Sequence, residues 1–210
     1  MGSEAIRKND KEDPVDMEQV NELLYQALET EIGGQAVYKT AIRCTSEPNL
    51  KEEWTKYLEE TEHHQQILLD CMAELSLDPT VETPGRLIVR HHGESLVTAM
   101  EMAQRSDPDA AQIVAAECVV LAETKDHQNW TLLGQVANAA KGKAATAIGN
   151  AVAEVEDQED EHLYHTMGWA RELWIESLGL PAVIPPPEEE KSVKTAIGAA
   201  RAAQSRKELL

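Results

Sequence analysis

Four long segments of the chain repeat apolar residues at the three- and four-residue spacing of an α-helix. They cover residues 16–43, 50–77, 109–138 and 144–177, and breaks rich in Pro, Gly, Ser or Asn separate them. Helices of this length, each with one apolar stripe, bury those stripes by packing side by side. The pattern therefore predicts an all-α fold in which the four helices form a bundle.

The composition supports helices and narrows the classes of partner. The chain of 210 residues is 42% hydrophobic but only 4% aromatic, with no Phe. A core short of aromatics and of β-branched alternation favours helices over a β-sandwich or barrel. The net charge of -19 would repel nucleic-acid phosphates and anionic lipid headgroups. We therefore expect neither nucleic acid nor a membrane as partner.

The predicted segments also set the domain organisation. Residues 80–109 are too many for a tight helical hairpin and predict a crossover connection, within which residues 87–103 form a helix. Residues 1–14 are interpreted as a disordered or tag-derived N-terminus, and residues 15–180 as one bundle. Residues 181–210 are interpreted as a Pro/Glu linker and a short basic C-terminal helix.

Three cysteines, Cys44, Cys71 and Cys118, bear on the compartment. An odd number cannot pair completely within the chain, and each lies in a helical pattern, so we expect reduced thiols and a cytoplasmic protein. The sequence has no Cys-x-x-Cys pair, which argues against structural zinc and rubredoxin-type iron sites.

Several carboxylates lie on the apolar stripes instead of opposite them. At about 100° per residue, Glu31 falls within about 60° of the first stripe, whereas Glu29 falls about 160° away and is predicted to point outward. In the second helix, Glu60 and His63 share the face of Ile67 and form an inward Glu-x-x-His pair.

The last two helices complete the pattern. In the third, Glu117 and Glu123 both lie within about 60° of the stripe, and the geometry leaves the choice between them open. In the fourth, Glu159 and His162 form a second inward Glu-x-x-His pair. Glu156 lies about 60° from Glu159 and is an alternate that could replace or supplement it.

Four facing carboxylates in a protein interior require compensating charge. A buried unpaired carboxylate costs several kcal/mol, so such a group does not stay ionised without cations. Two divalent ions balance four carboxylates, and two neutral imidazoles complete a mixed oxygen and nitrogen ligand set suited to iron or manganese. The spacing thus predicts a dinuclear metal site in the bundle, the alternative being protonated or solvated acids.

Other residues near the inner faces have two interpretations each. Tyr38 lies two turns beyond Glu31, where its hydroxyl would contact a metal ligand or be redox-active, or where the ring simply packs. His64 and His127 are interpreted as imidazoles that support ligands or merely pack, and not as ligands. His165 is predicted to lie at the surface.

Some of these residues resemble motifs of the ferritin-like di-iron superfamily, which includes ferritins, bacterioferritins and rubrerythrins. Glu31 followed seven residues later by Tyr38 is similar to the ferritin first-helix pattern. The run Glu59-Glu60-Thr61-Glu62-His63 is similar to the second-helix ligand run. Leu121-Ala122-Glu123, followed by Gln128, is similar to the third-helix run, and Glu159 with His162 resembles the fourth-helix pair. The resemblance covers roughly residues 16–177.

The resemblance implies a ferritin-like four-helix bundle with a long crossover between helices 2 and 3 and a C-terminal extension. It also implies that Glu31 is a terminal ligand, Glu60 a bridging ligand and His63 a nitrogen ligand, and it favours Glu123 over Glu117. The cysteine-ligated iron module of rubrerythrins is absent from the sequence. Electrons would therefore come from an external donor, either another protein or a small reductant.

The expected function is a non-haem di-iron oxidoreductase that activates O2 or peroxide, as an oxidase, oxygenase, ferroxidase or peroxidase. We expect two iron ions, with manganese or a mixed pair as alternatives, and a homo-oligomer of two or more chains. Rival hypotheses are an iron-storage or iron-handling protein, a dimanganese catalase-like enzyme, and a metal-free helical interaction module.

Overall fold

The computed structural model describes residues 15–181, and these form α-helices without any β-strand. The all-α prediction is confirmed for this part of the chain. The predicted N-terminal segment and the linker with its basic helix lie outside the described residues. None of the described helices is both long and apolar enough to cross a membrane. The helices are α1 (Met17–Cys44), α2 (Pro48–Glu74), α3 (Pro84–Ser106), α4 (Ala111–Ala139) and α5 (Gly142–Ser177).

Four of the helices pack around a common centre. α1 packs against α2 and α4, and α5 packs against α4 and α2, so each of the four contacts two others. The fifth helix, α3, lies in the segment predicted as a crossover and packs against α1 and α4. The described chain therefore has five helices where the sequence pattern predicts four long ones, because the helix expected at residues 87–103 extends over 23 residues.

The ends of the first two helices follow from local side chains. The Asp16 carboxylate accepts hydrogen bonds from the backbone N–H groups of Glu18 and Gln19, which start α1. α2 begins at Pro48, two residues before the predicted start at Leu50. Its cap is Glu47, whose carboxylate accepts from the Asn49 N–H, and Pro48 occupies the first helical position.

The length of α3 also has local and tertiary causes. Thr83 caps its start by accepting a hydrogen bond from the Arg86 N–H at 3.1 Å, and Pro84 opens the helix. Gly93 on α3 faces Gly33 on α1, and a Cβ at Gly93 would lie 3.4 Å from the Gly33 Cα. The absence of side chains at both positions lets the two backbones approach closely.

An ion-pair network fixes α3 to α1 and explains a wrong prediction. Glu29, predicted to point outward, is buried because α3 covers it. Its carboxylate accepts from the Nε of Arg86 at 2.7 Å and from the Nε of Arg90 at 2.7 Å. The Nη1 of the buried Arg86 also donates to the carbonyl oxygens of Pro79 and Val81, so it ties the connecting segment to the helix.

We expect Glu29→Ala to lower the free energy of unfolding by about 3 kcal/mol at pH 7, because it leaves the Arg86 guanidinium buried without its counter-ion. Urea unfolding followed by circular dichroism measures this. Lys39→Ala is the matched control, since it removes one partner of an ion pair whose side chains are 50% and 51% exposed. Its effect should stay below about 1 kcal/mol.

The Glu29 effect should also depend on pH with a definite sign. Burial raises the pKa of Glu29, but hydrogen bonds from Arg90 and Arg86 outweigh burial and lower it below its ordinary 4.5. The contribution of the network is therefore complete above pH 4.5 and is lost as the pH falls through the lowered pKa. An equal effect of Glu29→Ala at pH 3 and pH 7 would contradict the ion-pair explanation.

The interior of the bundle consists of two apolar clusters with polar residues between them. The first cluster includes Leu28, Leu68 and Trp130, and the second includes Tyr38 and Trp169. In α1, α2, α4 and α5 alike, buried acids or histidines fall between the residues of the first cluster and those of the second. The polar layer thus lies near the middle of the bundle, closed off at both ends by packed apolar side chains.

Candidate metal centre

Six buried side chains of this polar layer lie close together, and every one of the four packed helices contributes. Each is at most 5% exposed, although four are carboxylates and two are imidazoles. Acids and histidines are rarely buried so completely without partners or metal ions. We call this set the central cluster: Glu31, His64, Glu123, Asp126, Glu159 and His162.

The geometry divides the central cluster into two overlapping groups. In the first, one potential ligand atom from each of His64, Glu159 and His162 lies within 4.8 Å of the others. In the second, the same holds for one oxygen from each of Glu31, Asp126 and Glu159. Glu159 belongs to both groups, so its carboxylate lies where a bridge between two cations would lie.

His64 presents an unprotonated nitrogen to the cluster. Its Nε2 is 2.6 Å from the Oε1 of Gln158, which can only accept, so the Nε2 carries the proton. Burial first, and the charge of His162 second, lower the pKa of His64 to about 4, so the ring is neutral near pH 7. Its Nδ1 then faces the Oε1 of Glu159 at 3.1 Å, and two acceptors at that distance need a proton or a cation between them.

His162 likewise has one ring nitrogen bonded outside the central cluster and one that faces it. Its Nε2 is 3.0 Å from the Oε2 of Glu60, while its Nδ1 lies 3.6 Å from the Oε2 of Glu123 and 3.8 Å from Glu159. Burial opposes the charged ring, but Glu123 and Glu60 beside it raise the pKa of His162 to about 10. Without a cation, the ring therefore holds a proton that partly balances the carboxylates.

The carboxylates show the same shortage of positive charge. Burial, followed by the charges of Asp126 and Glu159, raises the pKa of Glu31 well above 4.5. Burial and Glu123 raise the pKa of Glu159 to about 8, and burial with Glu159 raises that of Asp126 well above 3.8. The side chains mutually resist ionisation, as expected for carboxylates that face each other without counter-ions.

Hydrogen bonding within the described residues leaves much of the central cluster unsatisfied. The Nε1 of Trp130 donates to the Oε1 of Glu31 at 2.9 Å. Seven other buried atoms of the cluster have no hydrogen-bond partner among the described residues, and buried polar atoms without partners are rare in native proteins. They are Glu31 Oε2, His64 Nδ1, Glu123 Oε2, Asp126 Oδ1, both carboxylate oxygens of Glu159, and His162 Nδ1.

The unsatisfied atoms are five oxygens and two imidazole nitrogens, which is a donor set that iron and manganese accept. Four carboxylates and two neutral imidazoles would balance two divalent ions. Gln158 and Glu60, bonded to the outer nitrogens, would hold both rings with Nδ1 toward the cluster, as outer partners do in metal sites. The residues present therefore fit a dinuclear centre.

Four of the six predicted ligands belong to the central cluster: Glu31, Glu123, Glu159 and His162. Glu60, predicted as a bridging ligand, lies at its edge with a side chain 19% exposed, where it contacts His162 and Lys56. The predicted inward orientation of His63 is wrong, because its side chain is exposed and its neighbour His64 occupies the interior. The α2 imidazole in the central cluster is therefore His64, one residue after the predicted His63.

Both alternates lie outside the central cluster. Glu117 is exposed, and its Oε1 accepts a hydrogen bond from the Nε1 of Trp174 at 2.8 Å. Glu156 is also exposed, although it lies in a cleft that Glu159 lines. Between Glu117 and Glu123, which the periodicity left open, burial favours Glu123.

Tyr38 is fully buried beside the central cluster, and its ring centre is 6.2 Å from that of His162. Its hydroxyl has no hydrogen-bond partner within residues 15–181. Burial, and then the charge of Glu123, raises the pKa of Tyr38 well above 10, so the phenol keeps its proton near neutral pH. The hydroxyl is thus a proton donor held next to the carboxylates.

A second buried network lies on the other side of His162, and it corrects the prediction that His165 is at the surface. The Nδ1 of His165 is 2.9 Å from the Tyr57 hydroxyl and 3.2 Å from the Oε1 of Glu53. The Nε1 of Trp169 donates to the other oxygen of Glu53 at 3.0 Å. These bonds outweigh burial and lower the pKa of Glu53, so this carboxylate is satisfied by the protein alone.

Two members of the central cluster were not among the predicted ligands, and both carry a sequence signal. Asp126 follows Glu123 by three residues, the spacing that puts two side chains on one helix face. His64 lies seven residues after Tyr57 and four before Leu68, both fully buried, so it is centred on the buried face of α2. The sequence pattern predicted that this face is centred on His63, one residue earlier.

Comparison of the chain with protein-family models, curated proteins and solved structures finds no match. The geometry of the central cluster is therefore the basis for proposing a function.

Proposed function

We propose that the chain is a dinuclear metal oxidoreductase of the ferritin-like type, with iron or manganese held by the central cluster. The observation that carries the proposal is Glu159, shared by two groups of potential ligands and bonded to the protein through neither oxygen. Cations held by the two groups would give its two oxygens the partners that they lack. Bound iron or manganese would supply the redox chemistry with O2 or peroxide.

The residues divide into three tasks under this proposal. Glu31, Asp126, Glu123 and Glu159 would hold the cations through oxygen, and His64 and His162 through Nδ1. Gln158 and Glu60 orient the two rings through their outer nitrogens.

Tyr38 and the apolar clusters complete the site. Tyr38 keeps its phenolic proton beside the carboxylates and would donate a hydrogen bond to a carboxylate that holds a cation. The packed residues on both sides exclude water and strengthen the electrostatic interactions inside. Electrons for a catalytic cycle would come from an external donor, because the three cysteines of the described chain are buried and unpaired.

Metal analysis of purified protein, with anomalous scattering at the iron and manganese edges from its crystals, tests the proposal. We expect about two ions per chain. One scattering peak should lie among His64, Glu159 and His162, and the other among Glu31, Asp126 and Glu159. Consumption of O2 or peroxide by reduced, metal-loaded protein would then establish the reaction class. Fewer than one ion per chain after reconstitution, or peaks outside the central cluster, would reject it.

Two further measurements on the metal-loaded protein distinguish the alternative functions. A large hollow assembly containing mineral would indicate iron storage. Release of O2 from peroxide without a reductant would indicate a catalase-like dimanganese centre. Neither alternative changes the ligands expected around Glu159.

A further inference from the structure

A cleft between α4 and α5 opens at the protein surface beside the central cluster. Its volume is about 380 Å³, and Glu159 lines it together with residues of both helices. Two glycines are part of its lining: a Cβ at Gly134 would be 3.6 Å from Val152, and one at Gly149 would be 3.7 Å from Ala137. Larger residues at these positions would narrow the passage that the two helices leave open.

The titratable side chains of this cleft are three acids and one imidazole, and Thr131, Gln135 and Asn138 add neutral polar groups. The Nε2 of His127 is 2.8 Å from the Oδ1 of Asp160, and their side chains are 28% and 47% exposed. Glu156 lies one turn before Asp160 on α5 and is exposed in the same cleft. We call His127, Glu156 and Asp160 the outer group.

Glu159 is the buried acid in the lining of the cleft. Its two oxygens are a second, independent indication that a ligand binds here. Glu159 is 1% exposed, it lines the cleft, and neither of its oxygens has a hydrogen-bond partner among residues 15–181. A buried carboxylate with two unsatisfied oxygens attracts a cation that arrives along the cleft. The outer group therefore leads directly to an atom that requires positive charge.

We propose that divalent cations enter the central cluster through this cleft and that the outer group binds them on the way. The inference rests on the proposed function, since it presumes that the central cluster holds metal. Ligand atoms at right angles on a cation with bonds of about 2.0–2.2 Å lie about 2.8–3.1 Å apart. The spacing of His127 Nε2 and Asp160 Oδ1 matches that distance, so one cation can replace the proton they share.

The other cavity close to the bundle centre is a poor route for a cation. It lies between α1, α3 and α4, has a volume of about 350 Å³, and is lined largely by apolar groups and glycines. None of the six residues of the central cluster lines it, and its wall includes Lys125. Its carboxylate, Glu29, is already paired with Arg86 and Arg90, so a hydrated divalent ion would lose solvation there and gain little beyond His92.

Stopped-flow binding of Co²⁺, followed by its visible absorption, measures the entry rate without any catalytic turnover. The test variant is Glu156→Gln/Asp160→Asn, which removes two charges of the outer group. The matched control is Glu154→Gln/Glu176→Gln, which removes two charges from exposed positions of the same helix outside this cleft. Ala153→Trp, at an exposed position that lines the cleft, obstructs the passage without changing charge.

We expect the test variant to bind Co²⁺ about tenfold more slowly than wild type, with the same final number of ions, because the steering charge is lost. Ala153→Trp should also slow binding, whereas the control should keep the wild-type rate. Added salt should slow wild type more than the test variant.

Three outcomes would overturn the inference, and they are distinguishable. Equal rates in wild type, the test variant and Ala153→Trp would show that cations enter elsewhere. A lower final number of ions in the test variant would make Glu156 or Asp160 a permanent ligand. If wild type itself binds no Co²⁺, the proposed function fails and the route fails with it.

Discussion

His64→Ala is expected to reduce bound metal from about two ions per chain to at most one and to remove the stabilisation that metal provides. The Nδ1 of His64 faces the shared carboxylate Glu159, so its loss takes away one of the two imidazoles of the first group and leaves only Glu159 and His162 there. In wild type, each ion at a hundredfold excess over its Kd should stabilise the fold by about 2.7 kcal/mol. Metal analysis and thermal unfolding with and without Mn²⁺ measure both effects.

His63→Ala is the matched control for this experiment. It removes the neighbouring imidazole, which is exposed on the other side of α2. Metal content and metal-dependent stability should equal those of wild type. Loss of metal from His63→Ala with retention in His64→Ala would show that α2 is rotated relative to the structure. Far-ultraviolet circular dichroism of both variants verifies that the helices are intact.

Glu159→Gln is expected to act with opposite signs on the metal-free and the metal-loaded protein. It removes the free-energy cost of keeping a carboxyl group protonated among acidic neighbours, so the metal-free protein should gain about 1–4 kcal/mol of stability. The amide N–H can also donate to the Nδ1 of His64, which lies 3.1 Å from the Glu159 Oε1. Because both groups would lose the oxygen ligand that they share, added Mn²⁺ should no longer stabilise the variant.

The gain should grow with pH. The pKa of Glu159 is raised from 4.5 to about 8, chiefly by burial and by Glu123, so between these values the folded protein holds a proton that the unfolded chain has lost. The free energy of unfolding of the metal-free wild type therefore falls as the pH rises through this range. Glu159→Gln removes this contribution, so its advantage over wild type should be larger at pH 8 than at pH 5.

Urea unfolding in the presence of a chelator measures the difference between the two proteins. Glu154→Gln, which neutralises an exposed acid on the same helix, should have little effect at either pH. A metal-free Glu159→Gln less stable than wild type at pH 8 would contradict the electrostatic description of the central cluster.

The two α2 histidines show the limit of predicting buried faces from helical periodicity alone. Glu60, His63 and Ile67 share one face, while Tyr57, His64 and Leu68 share another, and the two faces differ by about 100°. Both contain apolar residues, so the sequence permits either. Contact with α1 and α5 selects the second, which buries Tyr57 and Leu68 fully and exposes His63.

Glu29 illustrates a second limit. Its distance from the apolar stripe of α1 correctly indicated that it does not face the centre of the bundle. The sequence pattern did not show that α3 would cover this side of α1 and supply Arg86 and Arg90 as partners. A charged residue opposite one stripe can be buried by a helix that packs on the opposite side.

Helical spacing left the choice between Glu117 and Glu123 open. The sequence by itself determined the helical class, the approximate spans of the long helices, and the burial of Glu31, Glu159 and His162. These features depend on spacing within one helix, which the 3.6-residue period fixes locally. Only the tertiary structure decided that His64 and Asp126 join them, that Glu60 lies at the edge, and that α3 docks on α1. Those outcomes depend on how each helix is rotated about its axis, and that rotation is set by side chains of neighbouring helices far away in the sequence.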